Sequence, residues 1–454
     1  MFKNKNFQQL LDENFTLAPI LKLAIPITIT SIIQSLYNLI DTYWLGKLGI
    51  NELAAINLVT PIQQTIIAFG SGITVAGAIL ISQNLGARKI ELANKIVAHI
   101  LTFTISFALL SCIIILSQST NILIWLGAED NIFQESKMYL DLILFGMPLL
   151  YILNIYTSVS QSQGNSFYPM LLNLLGSIIN IILDPYLIIH LEKGIYGAGL
   201  ATLISKGTIA LISIILLLKS KQNIKIKLKY FKIDLNLLKK ILFIALPISF
   251  GNSTMQFGFI LMSKIVLSYG PIAMAAYGVG NKINGLISLP VQGISSALAT
   301  VVGQYVGKEN HKKIRKSYII SRRICLIFLL FGGIILSRKP ISSSIVKVFT
   351  NDINVIDMGS TLLSILALFS FTNAIHNTTR AVFNGEGFTK IAVLSDVLRI
   401  WIFRFLSVYF LTKVFALGVV GIWYSIVISN GLAALFSISV YTLKIKNKKV
   451  KTIT

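Results

Sequence analysis

Apolar runs of about 20 residues recur along the chain between short polar stretches, and each is long enough to cross about 30 Å of hydrocarbon as a helix. Twelve spans are expected, at 18–45, 53–82, 93–118, 138–160, 168–190, 195–218, 240–268, 275–304, 318–337, 358–382, 392–412 and 417–442. Residues 1–17 are polar with scattered apolar positions. No small-residue cleavage site accompanies the first run, so it is expected to stay in the mature chain.

Composition agrees with that pattern. Of 454 residues, 54% are hydrophobic and 13% charged, against about 25% charged in soluble domains. A soluble chain is excluded. The net charge of +23 would suggest nucleic acid if it formed one surface. Counted loop by loop, however, 26 Lys and Arg fall on one side of the membrane and seven on the other. This asymmetry places both termini in the cytoplasm and requires an even number of spans. The basic stretch 219–239 then reads as a cytoplasmic linker, and nucleic acid is not expected as a partner. Two cysteines and four histidines offer neither a disulfide framework nor a zinc spacing. No G-x-x-x-x-G-K-[ST] motif and no soluble stretch long enough for a nucleotide-binding domain is found, so gradient-driven transport is the default expectation. Gly70 to Gly77 lies inside an apolar run and reads as close helix packing, not a phosphate loop.

The chain also matches itself. Ala24-Ile25-Pro26-Ile27 echoes Ala245-Leu246-Pro247-Ile248 at an offset of 221, which also relates Gly49 to Gly270, Gln83 to Gln304 and Gly86 to Gly307. Gln163-Gly164 pairs with Asn384-Gly385 at the same offset, and Gly194 pairs with Gly418 at 224. Two pseudo-symmetric six-helix lobes follow, 1–218 and 240–454, joined by the basic linker. Because six is even, the halves are parallel repeats, the plan of secondary transporters that rock two bundles.

The segment Pro26 to Ala55 carries a Pro, then Asn38-x-x-Asp41, Gly46-x-x-Gly49 and Ala54-Ala55. With Gln163-Gly164-Asn165-Ser166, Asn180-x-x-x-Asp184-Pro185 and Gly194-x-x-Gly197, it resembles the multidrug and toxic compound extrusion (MATE) transporters over residues 15–442. The NorM-like branch carries a Glu where this chain has Met255, beside a non-titrating Gln256. The DinF-like prokaryotic branch is thought to bind its coupling cation where this chain has Asp41, Asn180, Asp184 and Thr202. The resemblance therefore implies a DinF-like protein with the MATE fold.

The residues point to the same cluster. Asp41 and Asp184 each lie within an apolar run, where a charge costs about 2.5–3.5 kcal/mol on insertion scales. Their repeat counterparts are Met262 and Val408, so the fold does not demand acids at these depths. Asn180 shares a helical face with Asp184, and Pro185 removes an amide beside the acid. Burial and a neighbouring carboxylate both disfavour charge, the condition for loading a proton; oxygen ligands alone from Asp41, Asn180, Asp184 and Thr202 equally suit Na⁺. Hydrogen-bonded packing of neutral carboxyls is the alternative.

Tyr37 and Gln34 share a stripe with Asp41 and are expected to line a substrate cavity, with Asn154, Met255, Gln256, His376 and Arg380 as further lining residues. Pro26 and Pro185 are expected hinges. Lys206, Lys264, Lys282, Asp396, Arg399 and Arg404 also fall in or near spans, and the basic ones are expected to snorkel.

The reading is a secondary active antiporter, not an enzyme, in the inner or plasma membrane. It exports amphipathic, cationic organic compounds against H⁺ or Na⁺, without a cofactor, as a monomer. One-for-one exchange with a monovalent cation is electroneutral, and a one-unit pH gradient then supplies about 1.4 kcal/mol, or about tenfold accumulation. A lipid-linked-oligosaccharide flippase and a non-transporting sensor or channel are the rivals.

Overall fold

The computed structural model describes residues 7–13, 16–46, 48–128, 130–220, 224, 228–232 and 234–451. Lys3, Lys5, Lys47, Lys221, Lys225 and Lys227, all counted in the charge asymmetry, lie outside the described residues. The chain divides into two compact units, Pro26–Phe250 and Met1–Ile25 with Gly251–Thr454.

In chain order come α1 (Phe7–Asp12), α2 (Leu17–Gly46), α3 (Ile50–Gly86), α4 (Ile90–Trp125), α5 (Asp130–Ser162), α6 (Phe167–Pro185) and α7 (Gly194–Leu218). They are followed by α8 (Leu235–Leu267), α9 (Pro271–Gly307), α10 (His311–Leu336), α11 (Lys339–Lys347), α12 (Ile353–Leu368) and α13 (Phe371–Gly385). Last are α14 (Thr389–Val397), α15 (Phe405–Tyr409) and α16 (Gly418–Lys451). The division between units passes through α2 immediately before Pro26 and through α8 before Gly251.

Among the described residues, ten helices are long and apolar enough to cross a membrane, and α12 with α13, bent by 53° at their junction, makes an eleventh. At that bend Ser370 donates its hydroxyl to the Leu329 carbonyl of α10 at 3.2 Å. The twelfth span is the run 389–414, in which π turns at Leu398–Arg404 and Phe410–Val414 interrupt α14 and α15. It carries Asp396, Arg399, Arg404 and Lys413 within an otherwise apolar run. All twelve expected spans are helices, in two six-helix lobes, and most run several residues beyond the apolar stretch. A 37-residue helix such as α3 is about 55 Å long, well over the hydrocarbon thickness.

Two helices were not expected. In α1, Phe7, Leu10 and Leu11 are buried on one face. Tyr305 donates to the Leu11 carbonyl at 3.2 Å and Lys308 pairs with Asp12 at 2.6 Å. The i, i+3, i+4 apolar spacing was present in the sequence, but six residues are too few for periodicity alone to reveal a helix. The nine-residue α11 buries Ser342 and Val346, and Ser342 meets the Ser364 hydroxyl at 3.0 Å.

Backbone geometry confirms the repeat and corrects its register. Arg88 and Glu309 take φ of 59° and 54°, an offset of 221, at the turns leaving α3 and α9. Gly164 at φ 86° matches Gly387 at 84°, an offset of 223, so the turn glycine is Gly387; Gly385, expected there, closes α13. The two added residues fall where α4 runs unbroken but its counterpart is split into α10 and α11. By Gly194 (φ 54°) and Gly418 (φ 58°) the offset is 224. The extra residue is taken up by the π turn Leu398–Arg404, since a π turn is an α-helix with one residue inserted. A further π turn occurs in both halves, Tyr186–His190 and Phe410–Val414. Leu191 N–H bonds the Tyr186 carbonyl at 3.0 Å, and Phe415 N–H bonds that of Phe410 at 2.9 Å. Tyr409 stands in the second half where Pro185 stands in the first, so this turn does not depend on proline.

Candidate coupling site

The carboxylates of the N-terminal unit come together. Asp184 near the end of α6 is fully buried, and Asn180 one turn earlier donates its Nδ2 to Asp184 Oδ1 at 3.3 Å. Asp184 Oδ2 and Asn180 Oδ1 are both buried with no hydrogen-bond partner. Leaving a buried acceptor unsatisfied costs about 1–3 kcal/mol, more for a charged group, and an arriving proton or cation removes that penalty. Asp41 on α2 lies within electrostatic reach of Asp184 and of Lys206 on α7. Tyr37, one turn before Asp41, is within hydrogen-bonding reach of Thr202 on α7. The structure thus brings Asp41, Tyr37, Asn180, Asp184 and Thr202 into one neighbourhood.

Two members were missed as site residues. Tyr139 on α5, 7% exposed, lies within reach of both Asp41 and Asp184. Its signal was a tyrosine in a span whose repeat counterpart, at offset 223, is Leu362. Lys206 was expected to snorkel; instead it lies mid-helix, one turn after Thr202, because a carboxylate is there to receive its charge.

The repeat supplies an internal control. At the offsets read from the backbone, Asp41, Tyr139, Asp184 and Thr202 correspond to Met262, Leu362, Val408 and Ile426. All four sit in one buried apolar cluster of the C-terminal unit, around Trp423. The same fold position is a packed hydrocarbon core in one lobe and a polar site in the other.

The remaining expected residues have other surroundings. Gln34 is exposed and donates to Asn173 Oδ1 at 3.0 Å, while Asn154 is half-buried on α5. Met255 Sδ lies 3.9 Å from Arg399 Nη2, and Gln256 is half-buried beside it. His376 and Arg380 belong to a network in the C-terminal unit, where both bond Asp396 at 2.9 Å. No group of three or more His, Cys, Asp or Glu is gathered among the described residues, so a multivalent-metal centre of that kind is not formed there.

Residues 26–186 and 247–410 each match the MatE family model, one match per lobe, beginning at Pro26 and Pro247. The chain belongs to the MatE family. Among MatE-related proteins, it is 27% identical over 418 residues to the probable multidrug resistance protein NorM of Thermotoga maritima, covering 89% of this chain and 87% of that one. It is 25% identical over 438 residues to the probable multidrug resistance protein YoeA of Bacillus subtilis, covering 94% and 93%. A solved MOP-superfamily transporter from Pyrococcus furiosus superposes with a TM-score of 0.91 at 26% identity, covering 98% of this chain and 99% of that one. Family membership and a dozen membrane helices make this a multi-pass membrane transporter rather than an enzyme.

Proposed function

We propose that this MatE protein is a multidrug-type antiporter that exports small amphipathic organic compounds and draws its energy from H⁺ or Na⁺ entering at the N-terminal carboxylates. The observation that carries the reading is the pair of unsatisfied oxygens, Asp184 Oδ2 and Asn180 Oδ1, beside Asp41. A proton on Asp184 gives Asn180 Oδ1 a donor; a sodium ion takes both oxygens as ligands, with Asp41 and Thr202 to complete an oxygen-only set. Either ion stabilises the arrangement it enters, and it biases the transport cycle only by the difference in its affinity between states. The names of the relatives support multidrug export, and Met255 in place of the NorM-type glutamate supports a DinF-like assignment. Cationic substrates would exchange for the ion without net charge. The 26-to-7 asymmetry of basic residues supports cytoplasmic termini in the inner or plasma membrane.

Proteoliposomes test the reading. An imposed pH or Na⁺ gradient should drive ethidium against its concentration gradient, and dissipating that gradient should stop it. Equal ethidium flux with and without either gradient would refute coupled antiport.

A further inference from the structure

The C-terminal unit holds a second buried polar cluster, and its charges do not balance. Asp396, 2% exposed, accepts from His376 Nε2 at 2.9 Å and lies 3.5 Å from Arg399 Nη2 through Oδ1; Arg380 Nε donates to its other oxygen at 2.9 Å. His376 is held on its far side by the Ser437 hydroxyl at 3.3 Å. Arg404, 4% exposed, bonds only neutral groups among the described residues, Ser429 Oγ and Asn430 Oδ1, each at 3.1 Å. Arg399 lies within electrostatic reach of both Arg380 and Arg404. Two guanidiniums, Arg380 and Arg399, therefore share one carboxylate, and Arg404 beside Arg399 adds a third positive charge.

No other acid described in Gly251–Thr454 is placed to help. Asp352 caps α12, Asp357 pairs with Lys339, Glu386 pairs with Lys444, and Glu309 lies in the turn after α9. Buried cations ordinarily have partners, because a charge removed from water without one is costly. Here the donors are also incompletely used. Arg399 Nε is buried with no partner, and Arg380 engages Asp396 through Nε while its side chain remains 32% exposed. The repeat again shows that the fold does not impose the arrangement: His376 and Arg380 correspond, at offset 223, to Leu153 and Thr157.

We propose that this cluster is an anion-binding site that takes a carboxylate or phosphate group of the transported compound. Arg380 and Arg399 present forked donors that match the planar or tetrahedral oxygens of such a group, and Arg404 adds positive field behind them. Asp396 positions both forks and leaves an excess of two positive charges with His376 neutral. The inference rests on the transport reading and adds to its substrates amphipathic compounds bearing a carboxylate or phosphate, alone or beside a cationic group.

The test uses the purified full chain in nanodiscs of zwitterionic lipid, with carboxyfluorescein and ethidium as probes at fixed ionic strength. Saturable carboxyfluorescein binding is expected, weakened about tenfold or more in Arg380→Gln, partly restored in Arg380→Lys, and unchanged in the surface control Lys312→Gln. A second readout covers variants that fold poorly. Inorganic phosphate replacing chloride should raise the melting temperature of the unaltered chain saturably. No saturable anion binding, or binding that Arg380→Gln leaves unchanged, overturns the site. Competition by added phosphatidylglycerol would assign it to a lipid headgroup and overturn the substrate class. Intact carboxyfluorescein binding with no gradient-driven transport of either probe would instead refute the antiport reading.

Discussion

Replacing Asp396 by Asn should be among the most destabilising single changes to the C-terminal unit. The side chain is 2% exposed, and each carboxylate oxygen receives a cationic or imidazole donor at 2.9 Å. Asparagine keeps the shape but offers one acceptor in place of two, turns an N–H group towards a donor, and leaves Arg399 and Arg380 without a counter-charge. Removing one partner from a buried ion pair costs about 3–5 kcal/mol. At roughly 2–4 °C per kcal/mol for a unit of this size, the melting temperature should fall by on the order of 10 °C. Arg380→Gln should cost less, because the arginine is 32% exposed and solvent screens it, while Asp396 retains His376 and Arg399. The double variant should be more stable than the sum of the two changes by about 1–3 kcal/mol, since the second removes a charge that the first orphaned. Intrinsic tryptophan fluorescence during heating reads this well, because Trp423 is fully buried in the same unit. If Asp396→Asn melts with the unaltered chain, or the two changes add, the network carries no energetic weight and the charge argument fails.

Asp184→Asn should reach the membrane in normal amount yet accumulate ethidium less steeply under a pH gradient, because Asp41 remains; failure to reach the membrane would favour a packing role. Gly72→Ala should destabilise the N-terminal unit by about 1–3 kcal/mol, since its Cβ would lie 2.6 Å from Ser249 N and 2.7 Å from the Ala245 carbonyl of α8; an unchanged melting temperature would mean that the helices separate readily there. In intact cells, cysteine in place of Lys193 should react with an impermeant thiol reagent and cysteine in place of Lys312 should not; the reverse pattern would invert the topology.

Much of this architecture was legible because a bilayer admits few solutions. Runs of about 20 apolar residues become helices there, because every backbone polar group must be satisfied within the segment. Asp41 and Asp184 stood out because apolar residues replace them in the other repeat. What stayed hidden depended on tertiary neighbours. Lys206 and Arg404 look like ordinary snorkelling side chains until Asp41, Ser429 and Asn430 are seen beside them. Asp396 could not be paired with His376 and Arg380, about twenty positions earlier in sequence, without the fold. The π turn at Leu398–Arg404 was invisible for a similar reason: one inserted residue alters an apolar pattern less than it alters backbone bonding.

The central claim is that the coupling ion acts in the N-terminal unit alone, and paired spin labels within each unit test it most directly. Cysteines replacing Ile32 and Ile204 report on the N-terminal unit, and cysteines replacing Ile260 and Ile428 report on the C-terminal one; all four side chains are exposed. Distances measured at low and high pH, and with and without Na⁺, should shift for the first pair and stay fixed for the second, and Asp41→Asn should abolish the shift. Equal movement in both pairs, or movement confined to the second, would place the coupling site in the wrong half of the molecule.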